Sequence, residues 1–407
     1  MEKKISFIHA ADLHLDSPFK GLSDINDTLF QEVRKSTFKA LDNLVKTAIR
    51  KEVDFVLLVG DLFDNEKQSL KAQISLRNAF EELQRHHIEV YLSYGNHDYI
   101  KGNIYPITYP ENVHIFNDEQ VHSLIFNKED TPLAAIYGFS YENRAVTSKK
   151  VYEYKKIDRD IPFHIGTLHG SLESNTEHDT YAPFQLTELI NKDFDYWALG
   201  HIHKREILKE HPFIIYPGNT QGRNRKETGE KGCYYVELSE GNHSVEFIAL
   251  QAIEYNQMTV NISNCETIHQ VEQAITEEIR NLNPMVPQLL DVTLQSKKTN
   301  IIAWKSDHLL EDIIEIINER FQTQNNWIHI FRTSIQETRT LEDSTLMGEH
   351  FIKELLDNVE EFPIQEHVSD LFHHKQARVY HDSLSIEEEE QIKQEAHQLI
   401  VHELLKE

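Results

Sequence analysis

Along the N-terminal half of the chain, apolar positions fall in short continuous runs rather than in alternation: ISFIHAA at 5–11, VDFVLLV at 53–59, IEVYLS at 88–93, PFHIGTLH at 162–169 and FDYWALG at 194–200. Runs of this length without alternation predict strands covered on both faces, as in a sheet sandwiched by helices or by a second sheet. FIIYPGN and KGCYYVEL read as an antiparallel pair closing this unit, extended by HSVEFIAL to about residue 250. The pattern then changes. MTVNIS predicts a strand, Ile268, Val271, Ile275, Ile279 and Leu282 a helical stripe ended by Pro284 and Pro287, and LLDVTLQ a second strand. A further stripe, Leu310, Ile313, Ile314, Ile317 and Phe321, precedes the strand WIHIFRTSI. The fold expected is therefore α/β, with layered sheets flanked by helices over 1–250 and a smaller βαβαβ module over 255–340. An acidic segment, 357–407, follows. Ser385 with Glu388 reads as a capping box before a helix with Ile392, Ala396, Leu399, Ile400 and Leu404 on one face.

The N-terminal runs share a second property, which is how they end. ISFIHAA leads to Asp12 and His14, VDFVLLV to Gly60, Asp61 and Asp64, and IEVYLS to Gly95, Asn96, His97 and Asp98. The two later runs deliver His169, then His201 and His203. In open α/β sheets the carboxyl edge is where ligands bind. Carboxylate, imidazole and amide donors without thiolate suit Mn²⁺, Fe²⁺ or Zn²⁺. On an extended segment, Asp12 and His14 would point to the same side, and so would His201 and His203. So many donors exceed the needs of one ion. Two ions roughly 3.5–4 Å apart would use them all, with one carboxylate bridging, an arrangement suited to phosphoester cleavage.

Composition narrows the setting. The 407 residues contain no apolar run approaching the ~20 residues of a membrane span, so no membrane role is expected. The short apolar start meets Asp12 where a signal peptide would be cleaved, and the cysteines, Cys233 and Cys265, have neither redox nor metal-ligand spacing. A cytoplasmic protein is expected. The net charge of −26 excludes nucleic-acid binding through a general basic surface, so a polyanion must be drawn in locally. The loop GNTQGRNRKETGEKG supplies Arg223, Arg225 and Lys226 as candidate phosphate contacts. The basic run from Asn143 to Arg159 reads as a surface segment.

Taken in order, DLH, GDLFD, GNHD, LHG and GHIH resemble the calcineurin-like metallophosphoesterase family. The opening FIHAADLHLDSPF and the stretch GHIHKRE are most similar to DNA-repair exonucleases of the SbcD type, in their bacterial YhaO-like branch. The resemblance implies one ion on Asp12, His14 and His203, a second on Asn96, His169 and His201, and Asp61 bridging. It further implies an activated water attacking phosphorus in line, with His97 serving the leaving oxygen and Asp64 orienting its ring. Asp98 is expected to be a structural partner of its turn.

A DNA nuclease in repair, exonuclease and possibly endonuclease, is the favoured activity. A small-molecule phosphatase or cyclic-nucleotide phosphodiesterase is the alternative, because the same residues serve both. The additional α/β module resembles in placement the capping domain of repair nucleases, which shapes access for DNA. The acidic tail repels DNA, and the resemblance implies that its helix docks the coiled-coil base of an SMC-like ATPase. A homodimer is left open.

Overall fold

The computed structural model describes residues 3–337, apart from 20, 23–24, 65–67, 103–106, 159, 175–180 and 297–307, and beyond 337 only scattered positions between 355 and 400. Strands β1 (Lys4–Ala10), β2 (Phe55–Val59), β3 (Glu89–Ser93) and β4 (Val113–Ile115) run parallel in one six-stranded sheet. It is completed on the β1 side by β11 (Gly232–Ser239) and β12 (Asn242–Ala249), both antiparallel. The second sheet has the order β5-β6-β7-β8-β10-β9, from β5 (His122–Lys128), β6 (Thr131–Gly138), β7 (Phe163–His169), β8 (Tyr196–Gly200), β9 (Glu206–Glu210) and β10 (Phe213–Tyr216).

The continuous apolar runs have a direct cause in this layering. Alternate residues of β1 and β2 point to opposite faces, and both faces are buried. Phe7, Phe55 and Leu57 face the second sheet, meeting Tyr196, Ile165 and Ala134 in a core between the sheets. Phe7 stacks on Phe55 with ring centroids 4.9 Å apart and takes the edge of Tyr196 at 5.3 Å. Ile8, Val56 and Leu58 face outward, under helices α1 (Asp27–Arg50) and α2 (Leu70–Arg85). Asn26 starts α1 by accepting from the Leu29 N–H at 3.0 Å, and Ser69 starts α2 in the same way. A short α3 (Leu186–Ile190) lies before β8.

Two sequence expectations are corrected. FIIY and GCYYVEL do not pair with each other: β10 lies in the second sheet between β8 and β9, whereas β11 joins β1 in the first. Ladder partners this distant are set by which apolar faces meet, and local pattern carries no trace of that choice. The segment 143–159 is not wholly superficial either. Val146, Val151 and Tyr154 belong to the core on the outer face of the second sheet, and the Tyr154 hydroxyl donates to the Thr167 carbonyl at 2.5 Å.

Residues 254–337 form a three-stranded parallel sheet, β13 (Glu254–Asn261), β14 (Gln288–Ser296) and β15 (Ile328–Glu337), with α4 (Ile268–Asn281) and α5 (Leu309–Phe321) as crossovers. One face packs on these helices through Val260, Ile275, Val292 and Ile317. The other meets the sandwich, where Tyr255, Leu289 and Trp327 cluster with Phe19, Leu22, Leu29 and Val33. Trp327 Nε1 donates to Glu32 at 2.9 Å, and Asn26 Nδ2 to Gln322 at 3.1 Å. Ser385 of the capping box and Leu399 and Leu404 of the C-terminal stripe lie outside the described residues. Among the described residues, no helix is long and apolar enough to cross a membrane.

Candidate metal centre

The carboxyl ends of β1, β2 and β3 meet those of β7 and β8 at one edge of the sandwich, so residues far apart in sequence converge. Asp12, His14 and His203 offer ligand atoms within 4.8 Å of one another, and so do Asp61, His169 and His201. Asn96 joins the second group through its Oδ1, 3.0 Å from His169 Nε2 and 3.2 Å from His201 Nδ1. Asp61 Oδ2 lies between the groups, 3.4 Å from His169 Nε2 and 4.0 Å from His14 Nε2.

The backbone here is not the extended segment that the spacing of Asp12 and His14 suggests. Both are left-handed, at φ 53° and 43°, as are Asp61 at 50° and His201 at 94°. The turns are held by Asp12 N–H donating to Gly60 O and His14 N–H to Asp61 O, at 3.2 and 3.0 Å. Left-handed conformations in non-glycine residues cost of order 1–3 kcal/mol each and persist only where the surroundings fix them. Gly95 shows how close the turns approach, because a Cβ there would lie 2.3 Å from Asp61 Oδ1. Asp98 ties the turns together by accepting from Gly95 N–H at 2.6 Å and Leu62 N–H at 2.7 Å.

Second partners orient the imidazoles. His169 Nδ1 donates to the Val59 carbonyl at 3.0 Å, which turns Nε2 toward Asp61 and Asn96. His203 Nδ1 lies 2.7 Å from Glu227 Oε1 and 3.2 Å from Arg223 Nη2, and its Nε2 lies 3.0 Å from His14 Nε2. Two such nitrogens facing each other repel unless a proton or cation lies between them. The donor set therefore fits a cation. His97 sits at the rim with its Nδ1 2.8 Å from the carbonyl oxygen of Asp64, and its N–H donates to Asp61 Oδ1 at 2.9 Å. Asp64 thus holds this ring by its backbone. Its carboxylate is ion-paired with Arg223.

Burial pushes Asp12 up to about 6, although His169 and His203 partly offset it. Burial would raise Asp61 too, but His169, His97 and His14 outweigh that and hold it well below the usual carboxylate range. His14 is held well below its ordinary value by burial, then by Arg223 and His203. His169 goes up to about 9 against its burial, because Asp61 and Asp12 surround it. The second cluster is thus strongly attractive to positive charge.

The residue model of the calcineurin-like phosphoesterases matches residues 5–205. An uncharacterized metallophosphoesterase, YhaO of Bacillus subtilis, is 37% identical over 404 residues, which is 99% of this chain and 98% of the relative. The chain belongs to the calcineurin-like metallophosphoesterase family. This metallophosphoesterase is also 25% identical over 312 residues to the DNA double-strand break repair protein Mre11 of Methanocaldococcus jannaschii, 72% of this chain and 81% of that one. The Mre11 protein of Sulfolobus acidocaldarius is 23% identical over 287 residues, 68% of this chain and 72% of the relative. Family membership makes the protein a hydrolase with sites for divalent metal.

The basic loop of the metallophosphoesterase is arranged differently from a set of free phosphate contacts. Arg223 is turned inward, between Asp64 and Glu227. Arg225 is half-buried and reaches Glu388 at 3.3 Å, while Lys226 is exposed. Glu227 went unnoticed in the sequence because one carboxylate in a Lys/Arg-rich loop reads as charge balance. The one signal available was its place in the loop that follows two of the histidines.

Proposed function

We propose that this metallophosphoesterase is a metal-dependent phosphodiesterase that cleaves DNA in repair. The observation that carries the reading is the seat of the three-stranded unit beside the donor cluster. It packs on the start of α1 and the loop after His14, and Tyr255 donates through its hydroxyl to the Arg223 carbonyl at 3.3 Å. A wall of this size next to the site suits a long polymer and is superfluous for a small phosphate ester. The likeness to proteins named for double-strand break repair supports the same reading, since it runs over 312 residues and so exceeds the domain matched at 5–205.

Asp12, His14 and His203 would hold one divalent ion and Asn96, His169 and His201 the other, with Asp61 shared; Mn²⁺ suits these donors, and Fe²⁺ or Zn²⁺ fit them too. Such a pair supplies an activated water and neutralises charge on the phosphoryl oxygens. His97, fixed through Nδ1, keeps Nε2 to move a proton at the leaving oxygen. The loop residues Arg223, Arg225 and Lys226, of which Lys226 is exposed, are the proposed phosphate contacts. For the C-terminal segment the partner proposed is an SMC-like ATPase, by resemblance to repair nucleases, and the compartment proposed is the cytoplasm.

Purified protein with Mn²⁺ should cleave single- or double-stranded DNA as well as bis-p-nitrophenyl phosphate. Cleavage of the small diester with neither DNA touched would overturn the nuclease reading in favour of a small-molecule phosphodiesterase. Deleting 380–407 should leave small-diester hydrolysis intact and abolish co-purification with the ATPase.

A further inference from the structure

The two donor groups are supported from behind in different ways. His169 of one group leans on a backbone carbonyl, Val59 O, inside the sheet. His203 of the other leans on a side chain, Glu227, carried by a loop. Glu227 is itself tightly restrained and buried. Its Oε2 accepts from Asn219 Nδ2 and from the Arg223 N–H, both at 2.7 Å, and the Arg223 guanidinium lies 3.6 Å from Oε1. The same guanidinium pairs with the carboxylate of Asp64, whose Oδ1 is 3.7 Å from His14 Nδ1. Two carboxylates thus stand behind the Asp12–His14–His203 group, and one half-buried arginine engages both, with its Nη2 3.2 Å from His203 Nδ1.

This arrangement has a chemical consequence. A carboxylate accepting from Nδ1–H fixes the tautomer that leaves Nε2 free, and it makes that nitrogen a stronger electron-pair donor. Arg223 keeps Glu227 in this supporting role, with its second oxygen occupied by Asn219 and the loop backbone. The Asn219 side chain reaches Glu227 from the strand-proximal part of the same loop, so the restraint is local to residues 219–227.

We propose that Glu227, clamped by Arg223, is a positioning residue that sets the tautomer of His203 and hence the affinity of the Asp12–His14–His203 group for its cation, leaving the other group independent. The inference rests on the two-ion reading above. It makes one centre tunable from a loop and the other fixed by the sheet.

The test uses Mn²⁺ alone and the full-length chain. Titration of metal-free wild type should reveal two sites and the electron paramagnetic resonance signal of a coupled Mn²⁺ pair. Glu227→Gln keeps the shape and removes the charge. It should weaken one site by about 10–100-fold, leave the other unchanged, and replace the coupled signal by that of an isolated ion at limiting Mn²⁺. Side-chain ¹⁵N spectra, with His203→Asn to assign the resonance, should place the His203 proton on Nδ1 in metal-free wild type and show a mixture of the Nδ1–H and Nε2–H tautomers in Glu227→Gln. Two sites of unaltered affinity in the variant would overturn this inference alone. Wild type binding fewer than two ions would overturn the two-ion reading and this inference with it. If Glu227→Gln does not fold, the wild-type spectrum decides: a proton on Nε2 of His203 overturns the proposal, and one on Nδ1 upholds it.

Discussion

The sandwich and the three-stranded unit both contain parallel strands joined by helical crossovers, yet they end their strands differently. In the sandwich, β1, β2 and β8 run into left-handed Asp12, Asp61 and His201, and buried charge collects at that edge. In the smaller unit the strands end at Asn261, Ser296 and Glu337, and its left-handed residues, Asn283 and His308, stand before β14 and α5 instead. Among the described residues, both groups able to hold a cation lie in the sandwich. The difference follows from what faces each sheet. The second sheet of the sandwich supplies His169 and His201 to donors from the first, whereas β13–β15 face helices and the flank of α1. Strand topology offers an edge, and a second edge brought against it makes the chemistry.

The sharpest way to break this comparison is to remove the group shared between the edges. Asp61→Asn should lower hydrolysis of bis-p-nitrophenyl phosphate on the order of 10³-fold, with loss of bound metal seen by elemental analysis. Full metal content in that variant would mean that the two clusters do not depend on a common carboxylate.

His97→Asn separates proton transfer from ion binding in the same edge. Turnover should fall by about 10²–10⁴-fold while both ions stay, because the His97 hydrogen bonds are to the Asp64 carbonyl and, through its backbone, to Asp61. An ion lost along with the rate would make His97 a ligand.

Much of this edge was legible in the chain, for a physical reason. Strands buried on both faces write continuous apolar runs, so an Asp, Asn or His immediately after such a run is conspicuous. The α/β class followed from the same runs, and the second helical stripe was marked by its period. What escaped was whatever depends on partners distant in sequence. The pairing of β11 with β1, the burial of Tyr154 and the bond from Glu227 to His203 are long-range choices that leave no local signature. The left-handed turns at Asp12 and His14 escaped too, because nothing in DLH departs from an extended reading until the second sheet is in place.

In the smaller unit, by contrast, a core defect should leave the chemistry alone. Ile275 of α4 is fully buried in a core made only of residues from this unit. Ile275→Ala should cost about 2–5 kcal/mol, seen as an earlier thermal transition, with small-diester hydrolysis unchanged well below it. Cleavage of DNA should fall more than that of the small diester if the unit shapes access. Equal loss on both substrates would show that the sandwich edge leans on this unit for its geometry.

The smallest effect expected distinguishes how the two regions bury a histidine. His9 in β1 and His329 in β15 are both held neutral by burial, at about 3 and about 4. His9 has partners for both nitrogens, the Tyr196 hydroxyl at 2.9 Å and the Leu199 carbonyl at 3.0 Å. His329 Nδ1 has no hydrogen-bond partner among the described residues. Because both folded values lie below the ordinary 6.5, the unfolded chain takes up protons first. The stability contributed is full above about pH 6.5 and declines with acid, down to about pH 4 for His329 and about pH 3 for His9. His329→Leu should therefore flatten the loss of stability between pH 6.5 and 4, gaining on the order of 1–3 kcal/mol over wild type at the acid end, because it removes an unpaired buried polar atom together with the titration. His9→Leu should instead destabilise the protein at neutral pH, since it strands a tyrosine hydroxyl and a carbonyl. Urea unfolding at pH 7 and pH 4.5 reads both variants, and a His329→Leu protein that loses stability at pH 4.5 relative to wild type would mean that this ring has a partner when the chain is folded in solution.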